Sequence, residues 1–277
     1  MNSIMKAFLG AALLTVFSAD AGAQEESRPV TQQYRLEIGG TNVVSTYLSP
    51  LKYDGSSFTA SGQWSKAFQK NPEHVVMQFD ASATWRSMRN PARTASMIGL
   101  DAYFGWGMAY RHRFPGGFQI TAGGALDLSG GCLYLLRNGN NPVTALASAG
   151  IDLTASGSYK WKIGRLPILI SDELRLPTLN AFFCPGYGQT YYEIYLGNHK
   201  GLAHCGWWGN RFSIDNLLSV KLDFGRTAME VGYRYSLQTY WANNLNTRIS
   251  THSFVIGIIP HGLGMKRRQP DTNYSLY

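Results

Sequence analysis

The chain has 277 residues, a formal net charge of +8, 30 glycines, 13% aromatic and only 15% charged residues. Soluble domains usually carry about 25% charged residues, so this composition suits a lipid-facing barrel with aromatic girdles or a secreted β-sandwich. The basic residues form no long tract, which argues against a nucleic-acid partner. Past the N-terminus no apolar run approaches the length of a membrane helix.

The first 23 residues predict a secretory signal peptide: Lys6, a short apolar stretch AFLGAALLTVF, then Ala21-Gly22-Ala23 ahead of Gln24. From residue 24 to 259 one coarse rhythm recurs, an alternating segment followed by a turn cluster. It predicts a single antiparallel all-β domain. The first strands are Tyr34–Thr46, Phe58–Phe68, Val75–Trp85 and Ser96–Tyr110. Further strands begin at Phe118, lie within Val143–Trp161, and cover Leu166–Leu176. The segments 190–197 and 201–208 read as an eighth strand and a short ninth. Phe212–Phe224, Thr227–Trp241 and Arg248–Ile259 complete twelve, or ten if 190–208 is irregular. Residues 260–277, with Lys266-Arg267-Arg268, read as a basic periplasmic tail.

VVMQFDASATW, residues 75–85, shows the alternation best. Val75, Met77, Phe79, Ala81, Ala83 and Trp85 share one face, while Val76, Gln78, Asp80, Ser82 and Thr84 share the other. In a soluble sheet the apolar face is core; in an outer-membrane barrel it faces lipid. Charges on other strands decide between these. Asp152 alternates with Thr154 and Ser156, Glu173 and Arg175 share a face, and Glu230 and Arg234 oppose Met229, Val231 and Tyr233. Unpaired charge in lipid costs a few kcal/mol, whereas charge facing a lumen can pair. The expectation is therefore a closed transmembrane β-barrel in the outer membrane. Asp80, Asp152, Glu173, Arg175, Glu230 and Arg234 line its interior, and Phe79 and Trp85 face lipid. Connections of alternating length, short at 69–74, 111–117, 162–165, 198–200 and 225–226 and longer at 47–57, 86–95, 177–189 and 242–247, fit that architecture.

Chemistry-bearing motifs are few. There is no GxSxG elbow, P-loop, HExxH or EF-hand loop, and no cofactor or metal site is expected. Ser250 and His252 share a strand face and could act as a hydroxyl and its base, which would make a lipid-modifying hydrolase. Cys132, Cys184 and Cys205 form no CxxC; export would permit a Cys184–Cys205 disulfide. The aromatic loop at 177–189 is a candidate contact surface. The expected role is structural or interaction-type, or a narrow pore for small solutes. Outer-membrane lipids, small solutes and other envelope proteins are the expected partners. A hydrolase using Ser250 and His252, and a secreted glycan-binding β-sandwich, are the alternatives.

The last third carries a resemblance. GQTYYEIYLGNHKG (188–201), WWGNRFSIDNLLSVKLDFG (207–225) and VGYRYSLQTYWANNLNTRISTHSFVIGI (231–258) resemble a family of uncharacterised exported proteins of Bacteroidetes, a domain of unknown function. The resemblance implies a Gram-negative envelope and an outer-membrane barrel, and it implies no activity and no site residues.

Overall fold

The structure, a computed structural model, describes residues 30–139, 141–164, 166–260 and 263. The predicted signal peptide and the Lys266-Arg267-Arg268 cluster lie outside the described residues. Among the described residues there are eleven strands: β1 (Val30–Ser45), β2 (Ser49–Ala67), β3 (Val75–Arg89), β4 (Ser96–Arg113), β5 (Phe118–Leu135), β6 (Val143–Ile163), β7 (Leu166–Phe183), β8 (Ala203–Gly206), β9 (Arg211–Asp223), β10 (Ala228–Ala242) and β11 (Leu245–Ile259). A five-residue helix, α1 (Tyr191–Tyr195), lies between β7 and β8.

Every pairing is antiparallel, and the sheet closes on itself. β1 pairs with both β2 and β11, β6 pairs with β7, and β7 pairs with β9. Ten strands form the ring, and β8 adds only to the far end of β7, outside it. Of the two expected counts, twelve and ten, the ring has ten, because the 190–208 segment does not span. Residues 190–197 carry three tyrosines and one isoleucine, a strand-like composition. A local capping box instead starts α1: the Glu193 amide donates to Thr190 Oγ1 at 3.1 Å, and the Thr190 amide donates to Glu193 Oε2 at 2.7 Å.

The faces are inverted relative to a soluble sheet. Ile38 is 67% exposed, Phe79 40% and Trp85 43%, while Glu230 and Asp152 are 0% exposed. Outward Leu100, Phe104, Leu126, Leu128, Ile151, Leu153, Leu218, Val231, Phe254 and Ile256 continue this apolar surface around the ring. Soluble monomers rarely expose contiguous apolar patches beyond a few hundred Å², and in water such a wall would forfeit about 25 cal/mol per Å². In hydrocarbon it forfeits nothing. Aromatic side chains gather toward the strand ends: Tyr110, Phe118, Tyr159 and Trp161 at the end carrying residues 30 and 260, and Tyr134, Phe212 and Trp241 at the other. This is an outer-membrane-type β-barrel with girdles. The β-sandwich alternative is overturned, since a sandwich needs two sheets burying apolar faces and here one sheet buries its polar face.

The end holding residues 30 and 260 is the proximal end. Its connections are 68–74, 114–117, 164–165 and 224–227; the distal ones are 46–48, 90–95, 136–142, 184–210 and 243–244. The expected set of four long distal loops is corrected to one. Residues 49–57 belong to β2, and Asn243 and Asn244 form a two-residue hairpin turn, both left-handed at φ 53° and 59°. Such a turn matches the strand twist, and Asn tolerates its positive φ.

Candidate functional site

Among the described residues buried charge concentrates in the interior, and alternation along the strands puts it there. On β1 the residues Gln33, Arg35 and Glu37 point inward, between the outward Tyr34, Leu36 and Ile38. Arg35 sits near the proximal end and holds a cluster. Its Nε lies 2.7 Å from Glu230 Oε2, and its Nη2 lies 3.2 Å from Glu173 Oε1 and 2.9 Å from Gln33 Oε1. Lys221 Nζ is 3.1 Å from Glu173 Oε1 and 3.7 Å from Glu230 Oε1. Ser219 Oγ donates to the same Glu230 Oε1 at 2.8 Å. Two carboxylates thus share two cations, so neither is left uncompensated in a dry environment.

Midway along the barrel a second layer crosses the lumen. Arg175 Nη2 is 2.9 Å from Asp80 Oδ2, and its Nε is 3.7 Å from Asp152 Oδ2. Tyr103 Oη donates to Asp152 Oδ2 at 3.1 Å, and the Arg175 guanidinium lies 4.6 Å over the Tyr103 ring. Gln63 Nε2 donates to Asp80 Oδ1 at 3.0 Å. Beside them Arg234 bridges Glu37 and Asp215, at 3.3 Å each. These residues come from strands on all sides of the ring, so the ion pairs form a septum rather than a lining.

The septum separates two polar cavities. The proximal one, of about 110 Å³, is lined by Arg35, Gln78, Thr154, Ser156, Glu173 and Lys221. The distal one, of about 210 Å³, is lined by Thr84, Arg86, Asp101, Asp127, Ser148 and Arg211. Ser82, Tyr103, Arg175, Asp215 and Arg234 border both. In the distal cavity Arg86 pairs with Asp101, and Arg211 Nη2 donates to Ser148 Oγ at 2.8 Å. Asp127 and Asp152 meet there as a carboxyl pair that shares a side-chain hydrogen bond.

Beyond the distal cavity the lumen turns apolar. Inward Val43, Tyr53, Met88, Met97, Leu133 and Ile249 pack with Leu48, and Phe182, Cys184, Tyr240 and Leu245 form an adjoining cluster; Tyr47 and Leu146 join the two. Above this plug sits the 184–210 excursion. Tyr47 Oη donates to the Gln189 carbonyl at 2.7 Å, and Tyr191 Oη accepts from the Ala145 amide. Asn243 Nδ2 donates to the carbonyls of Cys184 and Gly201, at 3.0 and 2.9 Å. At the proximal mouth, Arg111 donates to the carbonyls of Pro72 and Glu73, drawing the 68–74 turn over the opening. Both ends of the lumen are therefore narrowed by the chain itself.

All six sequence-predicted interior residues, Asp80, Asp152, Glu173, Arg175, Glu230 and Arg234, face the lumen. Glu173 and Glu230 fall in the proximal cluster, and the other four fall in or beside the septum. Sequence reading missed their partners Arg35, Glu37, Tyr103, Asp215 and Lys221. The signal for Arg35 and Glu37 was present, since Tyr34, Leu36 and Ile38 alternate with them. Ser250 and His252 lie elsewhere. His252 is on the outer wall, its Nδ1 2.5 Å from Tyr233 Oη and its ring tilted against Tyr235 at 4.7 Å between centroids, while Ser250 is buried. The Cys184–Cys205 bond is not formed, and all three cysteines are free. Cys205 pairs in register with Ala181, whereas the Cys184 amide bonds to the Leu202 carbonyl. The two side chains are thus offset by three residues on opposite faces, beyond disulfide reach. The 177–189 contact surface is shifted as well: 177–183 is strand, and the exposed rings are Tyr187, Tyr192, Tyr195, Trp207 and Trp208.

A family model described as "Protein of unknown function (DUF3316)" matches residues 5–269. No curated protein sequence matches this chain. Among solved structures, the transport unit of the autotransporter AIDA-I from Escherichia coli is similar at 6% identity and a TM-score of 0.46, covering 92% of this chain and 97% of that one. The β domain of the Bordetella autotransporter BrkA aligns at 10% identity and a TM-score of 0.44, over 84% and 99% of the two chains. The outer-membrane protease OmpT from Escherichia coli aligns at 8% identity and a TM-score of 0.44, over 86% and 99%.

Proposed function

The chain belongs to this family of proteins of unknown function, and we propose that it is an outer-membrane barrel with an occluded interior that serves as a structural and interaction platform. The observation that carries the reading is a lumen blocked at two levels. Ion pairs span it at mid-height, and an apolar plug closes it at the distal end. A ten-stranded barrel is close to the width that side chains alone can fill. What remains outside is the 184–210 excursion, which presents Tyr187, Tyr192, Tyr195, Trp207 and Trp208 to solvent. Exposed aromatic rings on a tethered loop make an economical contact surface, because they bury much area at little cost in side-chain entropy.

A second reading, a gated path for small polar solutes, is favoured by one observation. Cavities of about 110 and 210 Å³ lie on either side of the septum, and polar side chains line both. Planar-bilayer recording of the purified protein separates the two. The platform reading predicts no steady conductance from the wild type. A steady open-channel current would overturn it and favour the gated path.

A further inference from the structure

The distal cavity is lined by charges that its own side chains leave incompletely matched. Arg86 pairs with Asp101, Arg175 with Asp152, and Arg234 with Glu37 and Asp215. Among the described residues lining it, Arg211 and Asp127 form no ion pair, either with those groups or with each other. Arg211 enters from β9 and Asp127 from β5, with β6 and β7 between them round the ring. Arg211 is only 6% exposed. Its Nη2 donates to Ser148 Oγ at 2.8 Å, and the rings of Phe182 and Tyr240 lie 5.2 and 5.8 Å from its guanidinium carbon. Asp127 and Asp152 attract it only from beyond ion-pair distance. Its Nε has no hydrogen-bond partner among the described residues, and neither has the buried Ser213 Oγ, the next inward group on β9. A guanidinium taken out of water with no carboxylate against it is costly, and a hydroxyl and two ring faces offset only part of that.

Asp127 stands apart from Arg211, its carboxyl sharing a hydrogen bond with Asp152. Hydroxyls wall the space between. Ser129, the next inward residue on β5, stands 2.7 Å from Ser148, Oγ to Oγ. The cavity measures about 210 Å³, and one water needs about 10–15 Å³ of such space, so a small organic molecule fits. We propose that the distal cavity is a binding site for a small zwitterionic solute of the amino-acid class, its carboxylate on Arg211 and Ser213 and its ammonium on the Asp127–Asp152 pair. Such a solute adds no net charge to an enclosed space and meets both unmatched groups at once. A plain anion would leave Asp127 without a cation, and a plain cation would leave Arg211 without an anion. The proposal goes beyond the platform reading and rests on the closed barrel itself.

The test is ligand-dependent stability of the full chain in detergent. A ligand that binds only the folded form raises the temperature at which that form is lost. The probes are linear amino acids from glycine to 6-aminohexanoate, whose two charges move apart by one methylene per step. The controls are the same carbon chains carrying only the carboxylate or only the amine. Each is added to the folded barrel and, separately, during its refolding, so that the distal plug does not bar entry. At least one zwitterion is expected to raise the transition by several degrees, saturably, where its matched controls do not. Arg211→Gln and Asp127→Asn are each expected to abolish that rise while keeping the faster unboiled migration. If Arg211→Gln fails to fold, Asp127→Asn alone decides. No rise with any zwitterion in either arm, an equal rise with the controls, or a rise retained in Asp127→Asn would each overturn the site. Absence of heat-modifiable migration in the unsubstituted chain would overturn the barrel reading and the site with it. Normal migration without a rise would overturn the site alone.

Discussion

At the residue scale, buried ion pairs are the main vulnerability. Arg35 compensates Glu230 and shares Glu173 with Lys221. Removing one partner of a buried pair costs about 3–5 kcal/mol, chiefly because a charge is left unpaired. Arg35→Met is therefore expected to lower the temperature at which the folded form is lost on a semi-native gel. The double variant Arg35→Met/Glu230→Met should recover part of that loss, because it removes the stranded carboxylate. A double variant worse than the single one would contradict the pairing. Cysteine reactivity gives a second check. Cys205 is exposed, while Cys184 is buried and its thiol is pushed up to about 11 by that burial. The thiolate is the reactive form, so maleimide at neutral pH should label Cys205 in the folded protein and Cys184 only after unfolding. Rapid labelling of Cys184 would mean the distal plug is open.

At the element scale, the sequence was legible where strands cross the apolar belt and opaque beyond it. Val75–Trp85 alternates because one face meets lipid and the other the lumen, and the same holds for Glu230 and Arg234 against Met229 and Val231. Residues 49–57 carry Lys52, Asp54, Ser56 and Ser57. They form strand all the same, because the distal part of β2 rises past the belt and is wet on its outer side. With water on that side the alternation signal vanishes, although pairing with β1 continues. Segment 190–197 failed for the opposite reason, since a Thr190–Glu193 capping box outweighed its strand-like composition. The interior site was half legible. Its charges follow from alternation, but their partners lie on strands distant in sequence, and register alone brings Arg35 to Glu230. The hairpin at Asn243-Asn244 offers a test at this scale. Both residues sit at positive φ, where a β-branched side chain costs about 1–2 kcal/mol. Asn244→Val should lower the same gel-transition temperature, while Asn244→Gly should leave it nearly unchanged. Equal behaviour of the two would exclude the left-handed turn.

At the scale of the whole molecule, one inversion organises everything else. The chain buries Arg, Lys, Asp and Glu and exposes Leu, Ile, Phe and Trp, and it closes its sheet so that no edge of the ring is left unpaired. Lipid demands both, since hydrocarbon offers no partner to a free N–H or C=O. The short connections and the ion-pair septum then follow as means of holding a narrow barrel shut. The direct measurement is electrophoretic migration of the outer-membrane fraction from cells expressing the full chain, with and without boiling. A closed barrel buried in the outer membrane predicts a detergent-extracted band that runs faster unboiled and shifts on heating. Recovery of the protein in the aqueous phase without detergent, with no shift on boiling, would contradict the account.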